Sequence, residues 1–145
     1  MNVKVYPGES KRLVDPVDGA IVCCGIYGLF EHTGIWLEDH IIELHGSGLV
    51  KAVSPQRFLT DRSGERIYIA CNAQLQPLVH VGTSERAIER IFTYINYNTL
   101  THNCHRFTTE CVTGLRSDVC SFSEFNAAIS KFFKTALFWQ PLRYL

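Results

Sequence analysis

The chain has 145 residues, 46% hydrophobic and 19% charged, a balance that suits one domain with its own core and excludes a disordered chain. Lys and Arg together number 14, as do Asp and Glu, so no net charge points to nucleic acid or an anionic membrane surface. The N-terminal stretch MNVKVYPGESKRLVDPVDG lacks the apolar centre of a signal peptide, and the apolar run Ala20–Phe30 falls short of the ~20 residues a membrane-spanning helix needs. These features predict a cytoplasmic protein without an integral membrane segment.

In chain order, Pro7-Gly8, Pro16 and Gly19 mark the start as a loop with at most a short edge strand. Ala20–Phe30 is rich in β-branched and aromatic residues and reads as a buried strand. His32–Leu37 and Ile41–His45 are two short β runs around a tight turn, ended by Gly46-Ser47-Gly48. SPQRFLTDRSGE suggests a helical turn and a loop, and Arg66–Cys71 a further strand. Ala87, Ile88, Ile91, Phe92 and Ile95 recur at helical spacing, predicting a helix over Ser84–Asn96 with Ser84 as N-cap. A second helix runs from about Asn103 to Thr113, with Cys104, Phe107, Cys111 and Leu115 on one face and Gly114 as its stop. A third covers Ser123–Leu137, within a C-terminal amphipathic helix placed at 121–140, carrying a stripe of Phe125, Ile129, Phe132, Phe133 and Leu137. The expected class is α+β in a single domain, 1–145: a small antiparallel β-sheet packed against helices gathered mainly after it.

Six cysteines (Cys23, Cys24, Cys71, Cys104, Cys111 and Cys120) include no CxxC pair. They read as reduced thiols rather than a disulfide framework or a zinc ribbon. Cys104 differs from the others in its setting. It opens a helix behind the capping residue Asn103, where unpaired backbone N–H groups and the helix dipole favour a thiolate. Such a thiol becomes a nucleophile when an imidazole lies beside it. His105 is adjacent in sequence, but successive helical residues point about 100° apart, so the expected base comes from another element, and His102 precedes the helix.

The hairpin offers that base. Alternation places His32, Gly34 and Trp36 on one strand face. With a Glu38-Asp39 turn, Glu43 lies opposite Gly34 and diagonal to His32; with an Asp39-His40 turn, His45 takes that place. Either residue would fix the tautomer of His32, as the third member of a triad does. Gly34 leaves room between the two polar groups.

HTGIWLEDHIIEL followed later by YNTLTHNCHRFTTECVTG resembles the circularly permuted, papain-like NlpC/P60 thiol enzymes, in the branch of lecithin:retinol acyltransferase. His32, Gly34, Ile35, Trp36 and Leu37 match that family's histidine strand, and Asn103, Cys104 and Phe107 its cysteine helix. Tyr97 matches a tyrosine upstream of the cysteine. DGAIVC resembles the opening strand with its Gly-Asp order swapped. The resemblance covers about 18–115. In acyltransferase relatives the third polar position is commonly histidine, whereas some bacterial hydrolases carry glutamate there. His105-Arg106 stands where lipid-acting relatives have Glu-His.

The resemblance implies a permuted papain-like fold and a thiol hydrolase or acyltransferase with no cofactor. Cys104 would be the nucleophile, His32 the base and Glu43 or His45 the orienting group, with Tyr97 assisting at the oxyanion. The substrate would be an amide or ester: a peptide, a peptidoglycan-type peptide or a lipid acyl group. Two other readings use the same residues: a non-catalytic binding module, and a zinc site from Cys104, His32, His45 and His102 or His105. Lys131 and Lys134 among aromatic neighbours also allow a peripheral membrane contact by the C-terminal helix, although core packing is the expected use of such a stripe.

Overall fold

The computed structural model describes residues 2–26, 30–60, 66–96, 98 and 103–144. In chain order its elements are β1 (Val3–Val5), β2 (Ile21–Ile26), β3 (Phe30–Leu37), β4 (His40–Leu44), β5 (Val50–Val53), α1 (Pro55–Leu59), β6 (Tyr68–Cys71), α2 (Thr83–Arg90), α3 (Cys104–Thr113), α4 (Phe122–Phe133) and β7 (Leu137–Pro141). Among the described residues the strands form one sheet in the order β1-β7-β6-β2-β3-β4-β5. β1 runs parallel to β7, and the other neighbours are antiparallel. The architecture is therefore α+β, as expected, but with a larger and mixed sheet.

Strand alternation divides the core in two. On one face Ile21, Cys23, Ile35, Ile42 and Leu44 pack with Phe107 and Cys111 of α3 and Phe125 and Ile129 of α4. On the other, Val22, Cys24, Trp36, Ile41 and Ile69 surround Phe58 of α1. The β3–β4 hairpin turns on Glu38 and Asp39, both left-handed (φ 47° and 64°), the conformation whose twist matches a two-residue hairpin. The Glu38 backbone N–H donates to Asp18 Oδ1 at 2.8 Å, tying the turn to the segment before β2. The resulting register pairs Ile35 with Ile42 and Trp36 with Ile41.

Several sequence expectations shift. The helix expected over Ser84–Asn96 ends at Arg90, and its N-cap is Gly82, not Ser84. Beyond it the chain is captured by the edge of β5: Phe92 N donates to Val50 O at 2.7 Å and Val50 N to Thr93 O at 3.0 Å. Phe92 is accordingly exposed despite its place in the apolar pattern. The helix expected to reach Leu137 stops at Phe133, where Lys134 adopts a left-handed C-cap. Leu137 is buried in β7 instead, between β1 and β6. Leu115 lies beyond the Gly114 cap of α3 and is exposed rather than on the buried face. Among the described residues no helix is long and apolar enough to cross a membrane.

Gly34 holds β3 and β4 in close contact. A Cβ at this position would stand 2.6 Å from Ile41 Cγ2 and 2.9 Å from the Ile42 carbonyl oxygen. Gly34→Ala is expected to lower unfolding free energy by about 1–3 kcal/mol through overpacking, measured by urea denaturation; wild-type stability would contradict the close contact.

Candidate thiol site

The start of β3, the end of β4 and the first turn of α3 supply three buried side chains: His32, Glu43 and Cys104. His32 Nε2 donates to Glu43 Oε1 at 2.7 Å, within the range of a charge-assisted bond. Both side chains are almost wholly withdrawn from water. Such a carboxylate is expensive to bury without a donor, and the imidazole supplies one. Phe58 lies against the His32 ring with centroids 5.1 Å apart, and Cys24 is its direct partner across the β2–β3 ladder. The Glu38-Asp39 turn therefore selects Glu43 for His32 Nε2. His45 sits at the following turn, where its Nδ1 lies 2.9 Å from Ser47 Oγ and accepts from Ser47 N at 3.1 Å.

Cys104 is the first residue of α3. Asn103 Oδ1 accepts from the backbone N–H groups of His105 (3.0 Å) and Arg106 (3.2 Å), and Asn103 Nδ2 donates to Cys120 O at 2.7 Å. One side chain thus caps the helix and anchors it to the segment leading into α4. Burial pushes the Cys104 thiol up, but the His32 charge, hydrogen bonds from the His105 and His32 rings, and the His105 charge together outweigh it. The thiol is held well below its ordinary range, the condition for a thiolate near neutral pH.

His105 departs from the sequence expectation. It is buried rather than turned to solvent, places Nδ1 3.2 Å from Thr33 Oγ1, and its ring and charge are among the influences that lower the Cys104 thiol. The only sequence signal was the adjacency itself. Tyr97 and His102, the other residues singled out, lie outside the described residues.

The remaining cysteines separate chemically from Cys104. Burial pushes Cys71 to about 12, and burial, against the charges of Arg90 and Arg86, leaves Cys111 at about 12. Cys23 is raised by burial, then by Cys24 and Glu31. All six thiols are free. Among the described residues no group of three or more His, Cys, Asp or Glu side chains is arranged to hold a metal ion. A cleft of about 490 Å³ follows α3 from Asn103 to Gly114, with Arg86 and Arg90 of α2 on its opposite wall. Asn103 is its nearest residue to the thiol along the chain, and Cys104 does not line it.

No protein-family model matches the chain, and comparison with curated proteins finds no match.

Two measurements follow. Limited iodoacetamide labelling at neutral pH, read by peptide mass spectrometry, is expected to modify Cys104 well ahead of Cys71 and Cys111. Because the Cys104 pKa is depressed, its labelling should persist as pH falls below the ordinary thiol range, where an unperturbed thiol loses about tenfold in thiolate per pH unit. Asn103→Ala is expected to reduce stability by about 0.5–2 kcal/mol, the range for a lost N-cap, in chemical denaturation; an unchanged midpoint would contradict the capping role.

Proposed function

We propose that the protein is a thiol hydrolase or acyltransferase of the permuted papain-like type, with Cys104 as nucleophile, His32 as base and acid, and Glu43 as the group that orients His32. The observation that carries this reading is the buried His32–Glu43 hydrogen bond of 2.7 Å, with the His32 charge helping to hold the Cys104 thiol well below its ordinary range. With Nε2 engaged by Glu43, Nδ1 is the ring nitrogen that serves the sulfur. A base held by a third group is the recurrent logic of activated nucleophiles on unrelated folds.

The chemistry runs in two halves. The Cys104 proton passes to His32, and the sulfur attacks the substrate carbonyl carbon. The oxyanion forms against the backbone N–H groups at the start of α3, with the Cys104 N–H foremost. Collapse expels an amine or alcohol, which leaves with the proton from His32, and a thioester remains on Cys104. Water, deprotonated by His32, then attacks the thioester; its collapse releases a carboxylic acid and restores the thiol. An amine or alcohol in place of water makes the reaction an acyl transfer.

Glu43, rather than a histidine, at the third position favours hydrolysis, following the bacterial hydrolases of the family that the motifs resemble. The substrate is an amide or ester with a peptide or lipid acyl group. Six free thiols suit a reducing compartment, which supports a cytoplasmic setting. The part-buried Phe132 and Phe133 pack against the core, so the apolar stripe of α4 serves the fold before any membrane.

An acyl-ester probe that leaves a stable thioester tests the proposal by intact-protein and peptide mass spectrometry. Wild type is expected to gain the acyl group on Cys104 alone, Cys104→Ser none, and His32→Ala to acylate about 10²-fold more slowly or worse, as for loss of a general base. Acylation undiminished in Cys104→Ser would end this reading.

A further inference from the structure

The cleft along α3 carries a charge pattern that the thiol chemistry above does not use. It begins beside that site: Asn103 precedes Cys104 in the chain, Leu44 follows Glu43, and both residues line the cleft. From there it runs past Phe107 and Glu110 to Gly114, with a volume of about 490 Å³, enough for a small organic molecule. Among the described residues Arg86, Arg90, Arg106 and Arg116 line it, against the carboxylates of Glu89 and Glu110. Basic and acidic residues balance at 14 each over the whole chain, so this surplus of arginine belongs to the cleft.

The arginines divide by what they hold. Arg86 serves the fold: its Nε donates to Cys111 O at 2.7 Å and its Nη2 to Val112 O at 2.8 Å, closing the C-terminal end of α3. Arg90 and Arg106 share one carboxylate. Arg90 Nη1 stands 3.9 Å from Glu110 Oε1 and Arg106 Nε 3.5 Å from Glu110 Oε2, which also accepts from Ser117 N at 3.1 Å. Both separations exceed the roughly 2.7–2.9 Å of a charge-assisted bond. Arg106 Nη2 also lies 3.8 Å from Asp118 Oδ1, but that carboxylate is fully open to solvent and is screened there. The Arg90 guanidinium sits over the Phe107 ring, 5.3 Å from its centroid, a contact that positions the head group in the cleft. Two guanidiniums around one enclosed carboxylate leave one positive charge in excess.

We propose that this cleft receives a carboxylate carried by the substrate, so that the amide or ester cleaved at Cys104 belongs to an acyl compound with an anionic end. This rests on the thiol reading above and names the substrate class for it. The scissile carbonyl lies at the start of α3 and the carboxylate between Arg90 and Arg106. At a rise of about 1.5 Å per residue, positions 106 to 110 stand roughly 3–9 Å along the helix from Cys104, the reach of a short diacid. The planar fork of arginine matches a carboxylate. One negative charge matches the single excess, whereas a doubly charged phosphate group would also meet the repulsion of Glu110.

Three p-nitrophenyl esters provide the test: the half-ester of adipic acid with its carboxylate free, the same ester ending in a neutral N-methyl amide, and one ending in a phosphonate. Acylation of Cys104 is followed by nitrophenolate release and peptide mass spectrometry, with Cys104→Ser subtracted and each rate normalised to that of free N-acetylcysteine. Preference is the carboxylate rate divided by the neutral rate within one protein, so a general change in the thiol cancels. Wild type is expected to prefer the carboxylate ester by about tenfold, the worth of one charge-assisted bond. The preference should fall toward one in Arg90→Gln and hold an intermediate value in Arg90→Lys, which keeps the charge without the fork. Circular dichroism and a denaturation midpoint establish folding; Arg90→Met, which keeps an apolar stem over Phe107, replaces glutamine where that variant does not fold.

Equal wild-type rates for the carboxylate and neutral esters, or a preference that survives loss of the Arg90 charge, overturn the carboxylate site and leave the thiol reading standing. A phosphonate ester that outpaces the carboxylate ester overturns the choice of carboxylate. Failure of all three esters to acylate Cys104 overturns the thiol reading itself.

Discussion

A carboxylate and an imidazole enclosed together at one end of a sheet form the constraint around which the rest of this molecule is arranged. Glu43 is 1% exposed and His32 3%, so neither draws useful hydration, and each satisfies the other across 2.7 Å. That pairing requires three local choices at once. The hairpin must turn on two left-handed residues to set the register, Gly34 must lack a side chain so that the strands approach, and Phe58 must cover the ring from α1. Breaking such a pair by deleting one partner would leave an uncompensated buried group, a far larger penalty than the pair itself gains over two apolar residues. Its presence is consequently weak evidence for stability and better evidence for a task.

The sheet then brings the thiol to this pair. The face that packs against α3 and α4 and the face that packs against α1 are distinct clusters, yet the charge of His32, whose ring lies against Phe58, lowers the Cys104 thiol. This is achieved at the end of the strands, where the first turn of α3 meets the start of β3 and the end of β4. Asn103 is central to it: the same amide that caps α3 reaches back to Cys120, so the helix terminus is held both by its own first turn and by the entry to α4. Cysteines elsewhere show what burial alone does to a thiol: it pushes Cys71 to about 12.

How much of this was legible follows from the range of each interaction. The hairpin, its turn, the capping asparagine and the Gly114 stop are local, and their residue types state them directly. Glu43 was readable as one of two options because register depends on turn length alone. Backbone pairing between distant segments was not legible. The apolar period through Phe92 and Ile95 is that of a helix, but the free edge of β5 takes those residues into backbone pairing. Leu137–Pro141 continues the stripe of α4 on paper, yet it forms a strand because β6 and β1, from the middle and start of the chain, offer hydrogen bonds on both sides. His105 was misread for a related reason. Its direction relative to its neighbour is a property of the helix, but its partner Thr33 is a property of the sheet.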